Sequence, residues 1–286
     1  MKDFKDRVAV VTGGASGIGR AMAERFATAG MKIVLADVEE EALSVVENEM
    51  KVAGATVVGV VTDVSKPRQI EDLAARTLSE FGAVHILCNN AGVGGDTASL
   101  WDLPLETWEW VIGVNLRSVI YGIRTFVPIM LKQGMEGHVV NTASIAGLLA
   151  LPMLSPYHAT KHAVVSISES LYYELALAGA KVKTSVLCPG FVKTSIAESE
   201  RNRPEALHVE REPSAAEASF TATIRQRVEE GTPPAAVAEV VFEAIRDERF
   251  YIFPHPEMLE VYRTYTETVL QQRNPVLDLG SFASRP

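Results

Sequence analysis

Short apolar runs rich in β-branched residues alternate along this chain with longer segments whose apolar residues recur at helical spacing. The runs Val8–Val11 and Ile33–Leu35 are apolar throughout, as expected of parallel strands covered on both faces. Such alternation predicts βαβ units and an α/β fold with a doubly wound parallel sheet. The predicted strands are Arg7–Val11, Lys32–Ala36, Thr56–Val61, His85–Cys88, His138–Thr142, Val182–Leu187 and Phe250–Phe253. The predicted helices are Gly17–Ala29, Glu39–Ala53, Pro67–Phe81, Trp108–Lys132, Pro156–Ala178 and Pro234–Arg246.

The alternation stays regular to about residue 194 and predicts a single domain over residues 1–270. Residues 195–232 interrupt it, because this segment is polar and charged and no strand is predicted in it. Two interpretations stay open: a solvated insertion, or a lid over a substrate site, since long loops in compact domains often bind ligands. Residues 271–286 form a C-terminal tail, for which contact with a neighbouring subunit and a frayed end are equally open.

Composition and charge exclude several classes of partner. The chain has 286 residues, with 27 Lys and Arg against 36 Asp and Glu, so its formal net charge is −9. Nucleic acid is not an expected partner, because binding to a polyanion needs a basic surface. Two cysteines are too few for a disulfide framework, and the charged N-terminus does not resemble a secretory signal, so a cytoplasmic location is expected.

One uncharged stretch, residues 137–160, is long enough to cross a bilayer. It contains Pro152 and Pro156 and several hydroxyl side chains, which are not typical of a membrane helix. No membrane span is therefore expected, and the absence of charge needs another explanation.

A glycine-rich loop of sequence TGGASGIG, from Thr12 to Gly19, joins the first predicted strand to the first helix. Glycines let the backbone turn tightly and approach a pyrophosphate, whose charge would face the amide donors at the helix N-terminus. A lone glycine loop is weak evidence, but its place between a strand and a helix strengthens the prediction of a Rossmann-type dinucleotide site. The predicted contacts are Gly13, Ser16, Gly17, Ile18 and Gly19.

Asp37 ends the second predicted strand, where a carboxylate can accept hydrogen bonds from the adenosine ribose hydroxyls and would repel a 2′-phosphate. It also fits the N-cap of the next helix, with Glu40 at the third helical position, and the two roles can coexist. No Arg or Lys stands at Ser16 or Val38 to pair with a phosphate, so NAD is favoured over NADP.

Two further segments follow predicted strands, where ligands bind in sheets of this kind. Asp63 and Val64 end the third strand, and the fourth is followed by a tetrapeptide of sequence NNAG. Each could be an ordinary turn, because Asn, Asp and Gly are common in turns. The tetrapeptide consists of Asn89, Asn90, Ala91 and Gly92, which with Asp63 and Val64 are predicted to face the adenosine half of the cofactor.

Tyr157 and Lys161 lie one turn apart on a predicted helix, so their side chains share a face. A phenol is a poor acid–base near neutral pH, but a neighbouring ammonium favours the phenolate and lowers its pKa. Ser144, just after a strand, can donate a hydrogen bond to a substrate oxygen on which charge develops. A Tyr-x-x-x-Lys pair alone occurs by chance in many helices, whereas its combination with Ser144 and the glycine loop predicts chemistry.

These motifs together resemble those of the short-chain dehydrogenases/reductases over roughly residues 5–194. The resemblance rests on the TGGASGIG loop, Asp63, the NNAG tetrapeptide, Asn115, Ser144, the Tyr157–Lys161 pair and Pro189-Gly190. It implies that Tyr157 is the general acid/base and that Lys161 lowers its pKa and binds the nicotinamide ribose. It implies further that Ser144 orients the substrate oxygen and that Asn115 holds a water of a proton relay.

The resemblance also implies how the cofactor and neighbouring subunits are bound. Pro189, Gly190, Val192 and Thr194 would lie against the nicotinamide end of the cofactor. Members of the family are usually homotetramers or dimers, so a homo-oligomer is expected. No metal is expected, because the cofactor carries the hydride chemistry, and His158 and His162, although one turn apart, lack further ligands.

An apolar group of residues lies between Ser144 and Tyr157 and just after Gly190. With few polar anchors it predicts a pocket for a hydrophobic secondary alcohol or ketone, although these side chains could equally be core. The predicted pocket residues are Leu148, Leu151, Met153, Leu154 and Phe191, with Leu149 in the same run.

The sequence therefore predicts an NAD-dependent alcohol dehydrogenase or ketone reductase. A reductase of acyl-carrier thioester ketones is one alternative, disfavoured by the apolar run after Ser144. A non-catalytic regulator that senses the dinucleotide is another, and an intact set of Ser144, Tyr157 and Lys161 disfavours it.

Overall fold

A seven-stranded parallel sheet forms the centre of the computed structural model, which describes residues 1–276. The strand order is β3-β2-β1-β4-β5-β6-β7, so the direction of winding reverses between β1 and β4. Ligands of doubly wound sheets bind at such a switch point, beyond the carboxyl ends of the strands. The strands are β1 (Val8–Thr12), β2 (Lys32–Asp37), β3 (Val57–Val61), β4 (Ile86–Asn89), β5 (Gly137–Thr142), β6 (Val182–Leu187) and β7 (Tyr251–Ile252). The predicted doubly wound, Rossmann-type fold is confirmed.

Helices cover both faces of the sheet, which explains the apolar runs Val8–Val11 in β1 and Ile33–Leu35 in β2. Ala9 and Val11 of β1 pack into one buried cluster, while Val8 and Val10 pack into the other, as the alternation of side chains along a strand requires. The helices are α1 (Gly17–Thr28), α2 (Glu40–Val52), α3 (Pro67–Phe81), α4 (Leu105–Ile112), α5 (Ser118–Gln133), α6 (Ser155–Leu177), α7 (Ala215–Glu229), α8 (Pro234–Asp247) and α9 (Met258–Leu270). Within residues 1–276, none of these is long and apolar enough to span a bilayer.

The single helix predicted over Trp108–Lys132 is wrong in detail. The structure has α4 and α5 joined by a π-helical turn, Gly113–Arg117, and α4 begins three residues earlier. An extra residue in one turn barely disturbs the apolar spacing of the segment, so the pattern did not reveal it. Asn115 lies in this turn, and such turns are frequent at functional sites.

Residues 195–232 contain no strand but are largely helical, with short 3₁₀ turns at Ser195–Asn202 and Glu205–Leu207 followed by α7. Helix α7 begins with a capping box, in which the Ser214 side chain accepts from the Glu217 amide and Glu217 accepts from the Ser214 amide. This sequence signature could have predicted the helix start. Helix α9 was likewise not predicted, and most of the proposed tail, residues 277–286 of 271–286, lies outside the described residues.

His138, at the start of β5, is a fully buried histidine. The Ser185 hydroxyl donates to the carbonyl of Arg249, so His138 Nε2 carries the proton that bonds Ser185 Oγ at 2.7 Å. His138 Nδ1 has no hydrogen-bond partner within residues 1–276. Burial lowers the pKa of His138 from its ordinary value of 6.5 to about 3, because a second ring proton would have no acceptor.

We expect His138 to make the protein less stable in acid. The unfolded chain protonates this side chain near pH 6.5 and the folded chain only near pH 3, so stability is lost as the pH falls between these values. Each pH unit in this window costs about 1.4 kcal/mol. Between pH 7 and pH 5, urea unfolding should show a loss of stability about 2 kcal/mol smaller for His138→Gln than for the wild type. Equal losses in the two proteins would contradict the expectation.

Candidate active site

The loop between β1 and α1 accommodates only glycine at three positions. A Cβ on Gly13, which has φ +65°, would lie 3.0 Å from the Ala91 Cα, and a Cβ on Gly19 would overlap the carbonyl oxygen of Gly13. Gly17 has φ +52°, and a Cβ there would lie 3.0 Å from the Thr194 side chain. The loop is therefore a bare backbone surface that a ligand can approach closely.

Amide donors at the start of α1 face the same surface. The first-turn amides of a helix have no intrahelical partner, and Ser16, which precedes α1, makes no side-chain capping bond. Donors of this kind bind anions such as a pyrophosphate. Gly13, Ser16, Gly17 and Ile18 line the main cavity of the protein, whereas Gly19 does not, because its role is close packing against Gly13.

Thr12, at the end of β1, ties this loop to the end of β4. Its Oγ accepts from the amides of Asn90 (2.9 Å) and Ala91 (3.1 Å) and donates to the carbonyl of Cys88. The Asn90 side chain donates back to the Thr12 carbonyl at 3.0 Å. Thr12 has no predicted role above, yet one signal marks it in the sequence: it is the polar residue that ends an otherwise apolar strand.

Asp37 ends β2 and lines the cavity. Its carboxylate accepts from the Ala15 amide at 2.9 Å and from the Glu39 amide at 3.1 Å, so it also holds the glycine loop in place. Burial raises the pKa of Asp37, and these amide hydrogen bonds oppose that effect. The N-cap interpretation is wrong: α2 begins at Glu40, and its N-cap position is Glu39.

The other strand ends divide into cavity and core. Asp63 and Val64 line the cavity, and Asp63 accepts from the backbone and hydroxyl of Ser65. Asn89 does not line the cavity, because its side chain is buried and donates to Asn141 on the neighbouring strand at 2.9 Å. Its prediction as a cofactor contact is therefore not supported, whereas the rest of the tetrapeptide, Asn90, Ala91 and Gly92, borders the cavity together with Pro189, Gly190, Val192 and Thr194.

Tyr157 and Lys161 lie on α6 with the Lys161 ammonium 5.5 Å from the centre of the Tyr157 ring. Lys161 is almost fully buried and donates to the Thr142 carbonyl at 2.9 Å. Burial lowers the pKa of Lys161 to about 8, so the ammonium is charged below this pH. Burial raises the pKa of Tyr157, and the neighbouring Ser144 hydroxyl opposes this shift.

Ser144 is held at the end of β5 by two backbone contacts. Its hydroxyl donates to the Pro189 carbonyl at 3.3 Å and accepts from the Ala146 amide at 3.1 Å. Ser144, Tyr157 and Lys161 all line the main cavity, so the structure brings these three predicted catalytic residues together.

Asn115 is buried behind this group and does not line the cavity. Its side chain forms a pair of hydrogen bonds with the backbone of Val93, accepting at 2.8 Å and donating at 2.9 Å. A Cβ on Gly92 would lie 3.4 Å from Asn115 Oδ1 and 3.5 Å from Lys161 Nζ. Asn115 therefore positions the backbone beside Lys161, and its predicted water-binding role stays a prediction.

The main cavity, of about 810 Å³, runs from Asp37 past the glycine loop to Ser144 and Tyr157. Leu151, Leu154 and Phe191 line its catalytic end, as predicted, and Leu149 and Ile145 join them. The predictions for two residues differ from the structure. Leu148 packs against a buried cluster that includes Val119, and Met153 lies outside the lining. Side chains alternate around a loop, so only part of an apolar run can face one cavity.

Residues 195–232 form the outer wall of the cavity, with apolar side chains absent from the predicted pocket. The segment touches both ends of the cavity, since Arg201 bonds Glu39 at 2.6 Å and Ser199 accepts from the Gly94 amide at 3.0 Å. The apolar lining residues from this segment are Ile196, Ala197, Pro204, Ala206, Leu207, Ile224 and Val228.

His255 is another residue that the sequence analysis missed. Its Nδ1 accepts from the Gly190 amide at 3.0 Å, and its Nε2 lies 2.9 Å from Thr232 Oγ. It fixes the turn after β6 that carries Phe191 and Val192 into the cavity. No local motif marks it, because it reaches the site from a distant part of the chain.

The groups along the cavity fit a dinucleotide. A carboxylate stands at one end, the glycine-rich loop with the amides at the start of α1 in the middle, and a Ser-Tyr-Lys group at the other end. Within residues 1–276, no group of three or more side chains that could hold a metal ion is found.

Comparison with known proteins agrees with this geometry. The family model of the short chain dehydrogenases matches residues 7–205. The chain belongs to that family. Membership makes it an oxidoreductase of the short-chain dehydrogenase/reductase type, and the match spans the sheet as far as β6 together with the glycine loop and the Ser-Tyr-Lys group.

Three proteins similar to this short-chain dehydrogenase illustrate the family. A short-chain dehydrogenase/reductase from Burkholderia phymatum, solved in complex with NAD, is 48% identical with a TM-score of 0.95, covering 97% of this chain and 99% of that chain. A CLA biosynthesis dehydrogenase/reductase from Lactiplantibacillus plantarum is 37% identical over 90% of this chain and 91% of its own length. A C alpha-dehydrogenase from Sphingobium sp. is 34% identical over 96% of this chain and 89% of its own length.

Proposed function

We propose that this short-chain dehydrogenase transfers a hydride between NAD and a hydrophobic secondary alcohol or ketone. The observation that carries the proposal is one continuous cavity with Asp37 at one end and Ser144, Tyr157 and Lys161 at the other. Its middle is lined by the glycine loop, where backbone amides suit a pyrophosphate. The Burkholderia relative, which contains NAD, supports the choice of cofactor.

NAD would be held by Asp37, the start of α1, and Lys161, and when bound it would supply the hydride acceptor or donor. Asp37 offers the carboxylate for ribose hydroxyls, and Glu39, next to the same end of the cavity, adds a second negative charge. Among the lining residues of this end, Arg201 is already paired with Glu39. A 2′-phosphate beside Asp37 would therefore meet the Asp37 carboxylate, with Arg201 already bonded to Glu39.

Tyr157 handles the proton of the reaction. In the oxidation direction its phenolate accepts the proton of the substrate hydroxyl, and in reduction its hydroxyl returns that proton. The charged Lys161 nearby favours the phenolate, opposing the burial that raises the pKa of Tyr157. The Ser144 hydroxyl, which donates to the Pro189 carbonyl in this structure, would turn to donate to the substrate oxygen and hold it against Tyr157.

The substrate class follows from the wall opposite the catalytic group. Leu149, Leu151, Leu154 and Phe191 give this end of the cavity an apolar surface with few polar anchors. A neutral, hydrophobic alcohol or ketone is the ligand such a wall binds best. Residues 195–232 act as a lid that keeps water from the reacting atoms, and the enzyme functions as a homo-oligomer.

The proposal can be tested by measuring NADH or NADPH formation with a panel of secondary alcohols, each offered with NAD or with NADP. The panel should include alicyclic alcohols, aromatic alcohols and small anionic hydroxy acids. The expected result is turnover with NAD that is highest for the neutral, apolar alcohols. A better specificity constant with NADP, or a preference for the anionic hydroxy acids, would contradict the proposal.

We expect Asp37→Asn to weaken the preference for NAD. Asparagine removes the charge and keeps an acceptor for only one of the Ala15 and Glu39 amides, which bond different oxygens of Asp37. A hydrogen bond to a charged group contributes about 1.5–3 kcal/mol. The specificity constant for NAD should therefore fall by at least about ten-fold, with a smaller change for NADP. Glu40→Gln removes one charge from the exposed start of α2 and serves as the matched control. An equal loss in that control would contradict a specific role for Asp37.

A further inference from the structure

His158 follows the proposed acid/base Tyr157 on α6 and borders the main cavity, yet the polar atoms of its ring are bonded to the backbone. It is 5% exposed, and all of its polar contacts are with the loop between Ser144 and α6. His158 Nδ1 lies 2.7 Å from the carbonyl oxygen of Leu149 and 2.9 Å from that of Ala146. The amide of Leu151 donates to His158 Nε2 at 3.2 Å.

These contacts define the protonation of the ring. Because the Leu151 amide can only donate, Nε2 must carry a lone pair, and the proton therefore lies on Nδ1, where it is shared by the two carbonyls. Burial lowers the pKa of His158, which is consistent with a neutral ring. No polar atom of the ring is left to face a substrate.

The loop held in this way supplies the apolar wall of the cavity. Its side chains Leu149 and Leu151 line the cavity, while Leu148 packs in the opposite direction. Helical hydrogen bonding cannot satisfy the polar backbone groups of this irregular segment, and each buried group left without a partner costs about 1–3 kcal/mol. The imidazole of His158 bonds three of them, the carbonyls of Ala146 and Leu149 and the amide of Leu151.

We propose that His158 is a positioning residue that sets the apolar wall of the substrate cavity and thereby the preference for apolar over polar substrates. The inference rests on the proposed function, since it concerns the same reaction. His158 acts through Leu149 and Leu151 and touches neither proton nor hydride. Its loss should leave the chemistry at Tyr157 intact and change how substrates are held.

The chain offers a matched control on the same helix. His162 lies one turn further along α6, is exposed, and has its Nδ1 2.9 Å from the backbone carbonyl of His158 rather than near the loop. The informative variants are His158→Leu, which keeps bulk but loses every hydrogen bond, and His158→Asn, which keeps a donor near the position of Nδ1. His162→Leu should behave as the wild type.

Kinetics and amide exchange together test the proposal. For an apolar alcohol such as cyclohexanol, His158→Leu should raise KM about ten-fold or more with kcat changed less than about three-fold, and the ratio of kcat/KM between the apolar alcohol and a diol of similar size should fall. Deuterium uptake in the peptide over residues 145–154 should rise in His158→Leu, with partial recovery of both measurements in His158→Asn. The affinity for NADH should not change.

The two measurements separate failure of this inference from failure of the proposed function. A wild type that turns over no alcohol would overturn the proposed function, while unchanged deuterium uptake over residues 145–154 in His158→Leu would overturn the role of His158. Equal losses in kcat and NADH affinity would also overturn it, because they would indicate general damage to α6.

Discussion

Tyr157→Phe is expected to lose almost all turnover while keeping its affinity for NADH. The substitution removes only the hydroxyl, and positioned proton transfer contributes about 10²–10⁴-fold to a rate. The aromatic ring and Lys161, which is fixed by the Thr142 carbonyl rather than by the phenol, should remain in place. The measurement is NADH formation at saturating alcohol, with NADH binding followed by fluorescence.

A tyrosine on the same helix provides the control for this result. Tyr173 is 64% exposed, far along α6 from the cavity lining, and Tyr173→Phe should retain full activity. If Tyr157→Phe kept more than about a tenth of the wild-type rate, a different group would have to carry the proton. If it lost NADH affinity as strongly as activity, the phenol would serve binding rather than proton transfer.

The pH dependence of turnover should carry the signature of Lys161. Below about pH 8 the Lys161 side chain is charged and favours the phenolate of Tyr157, and above it the ammonium loses its proton. The oxidation rate should therefore stop rising near pH 8, where Lys161 becomes neutral and no longer favours the phenolate, and a rate that kept rising smoothly to pH 10 would contradict this role of Lys161. The Tyr157–Lys161 pair titrates as a unit, so the profile belongs to both residues.

The fold could be predicted from local pattern because parallel strands buried on both faces are continuous apolar runs. β6 has the bounds expected from the sequence, Val182–Leu187, and β1 differs by one residue at each end. The glycine loop and the Tyr157–Lys161 pair were also accessible, since each depends on spacing within one element. In the strands, the glycine loop and the Tyr157–Lys161 pair, residues that are close in sequence determine the local geometry.

The rest of the site depends on distant partners and could not be predicted in this way. Whether Leu148 or Leu149 faces the cavity is decided by the loop geometry around His158, which lies on the following helix. Asn89 ends β4 and Asn90 follows it, yet Asn89 lies in the core because its side chain bonds Asn141 on β5. No pattern within a single helix or strand shows which member of each pair, Leu148 and Leu149 or Asn89 and Asn90, faces the cavity.

Arg203 is the clearest case, because a charged residue in a polar segment is expected to be solvated and this one is buried. Its side chain is 1% exposed, with its guanidinium 5.2 Å from the Trp110 ring. It donates to Asp96 at 2.8 Å, to Thr107 at 2.9 Å and to the carbonyl of Leu207 at 2.7 Å. It therefore connects the outer wall of the cavity to the loop after β4 and to α4.

Asp96→Asn is expected to destabilise this connection strongly. Asp96 is 32% exposed and Glu200 stays 3.3 Å from Arg203, so the cost should fall below the ~3–5 kcal/mol of a fully buried ion pair, at about 2 kcal/mol. A loss of about 2 kcal/mol should lower Tm by about 4–8 °C, and proteolysis within residues 195–214 should become faster as the outer wall detaches. KM for the apolar alcohol should rise with it, since that wall lines the cavity.

Glu200 supplies the matched control for the Arg203 ion pair. It also lies near Arg203, at 3.3 Å, but its side chain is 46% exposed, and an exposed pair contributes about 0–1 kcal/mol. Glu200→Gln should therefore leave Tm and proteolysis nearly unchanged. Replacing both charges, as in Arg203→Met with Asp96→Leu, should recover most of the stability lost in Asp96→Asn, because no buried charge remains. If Asp96→Asn instead matched Glu200→Gln in Tm and in proteolysis, Arg203 would not hold the outer wall in place.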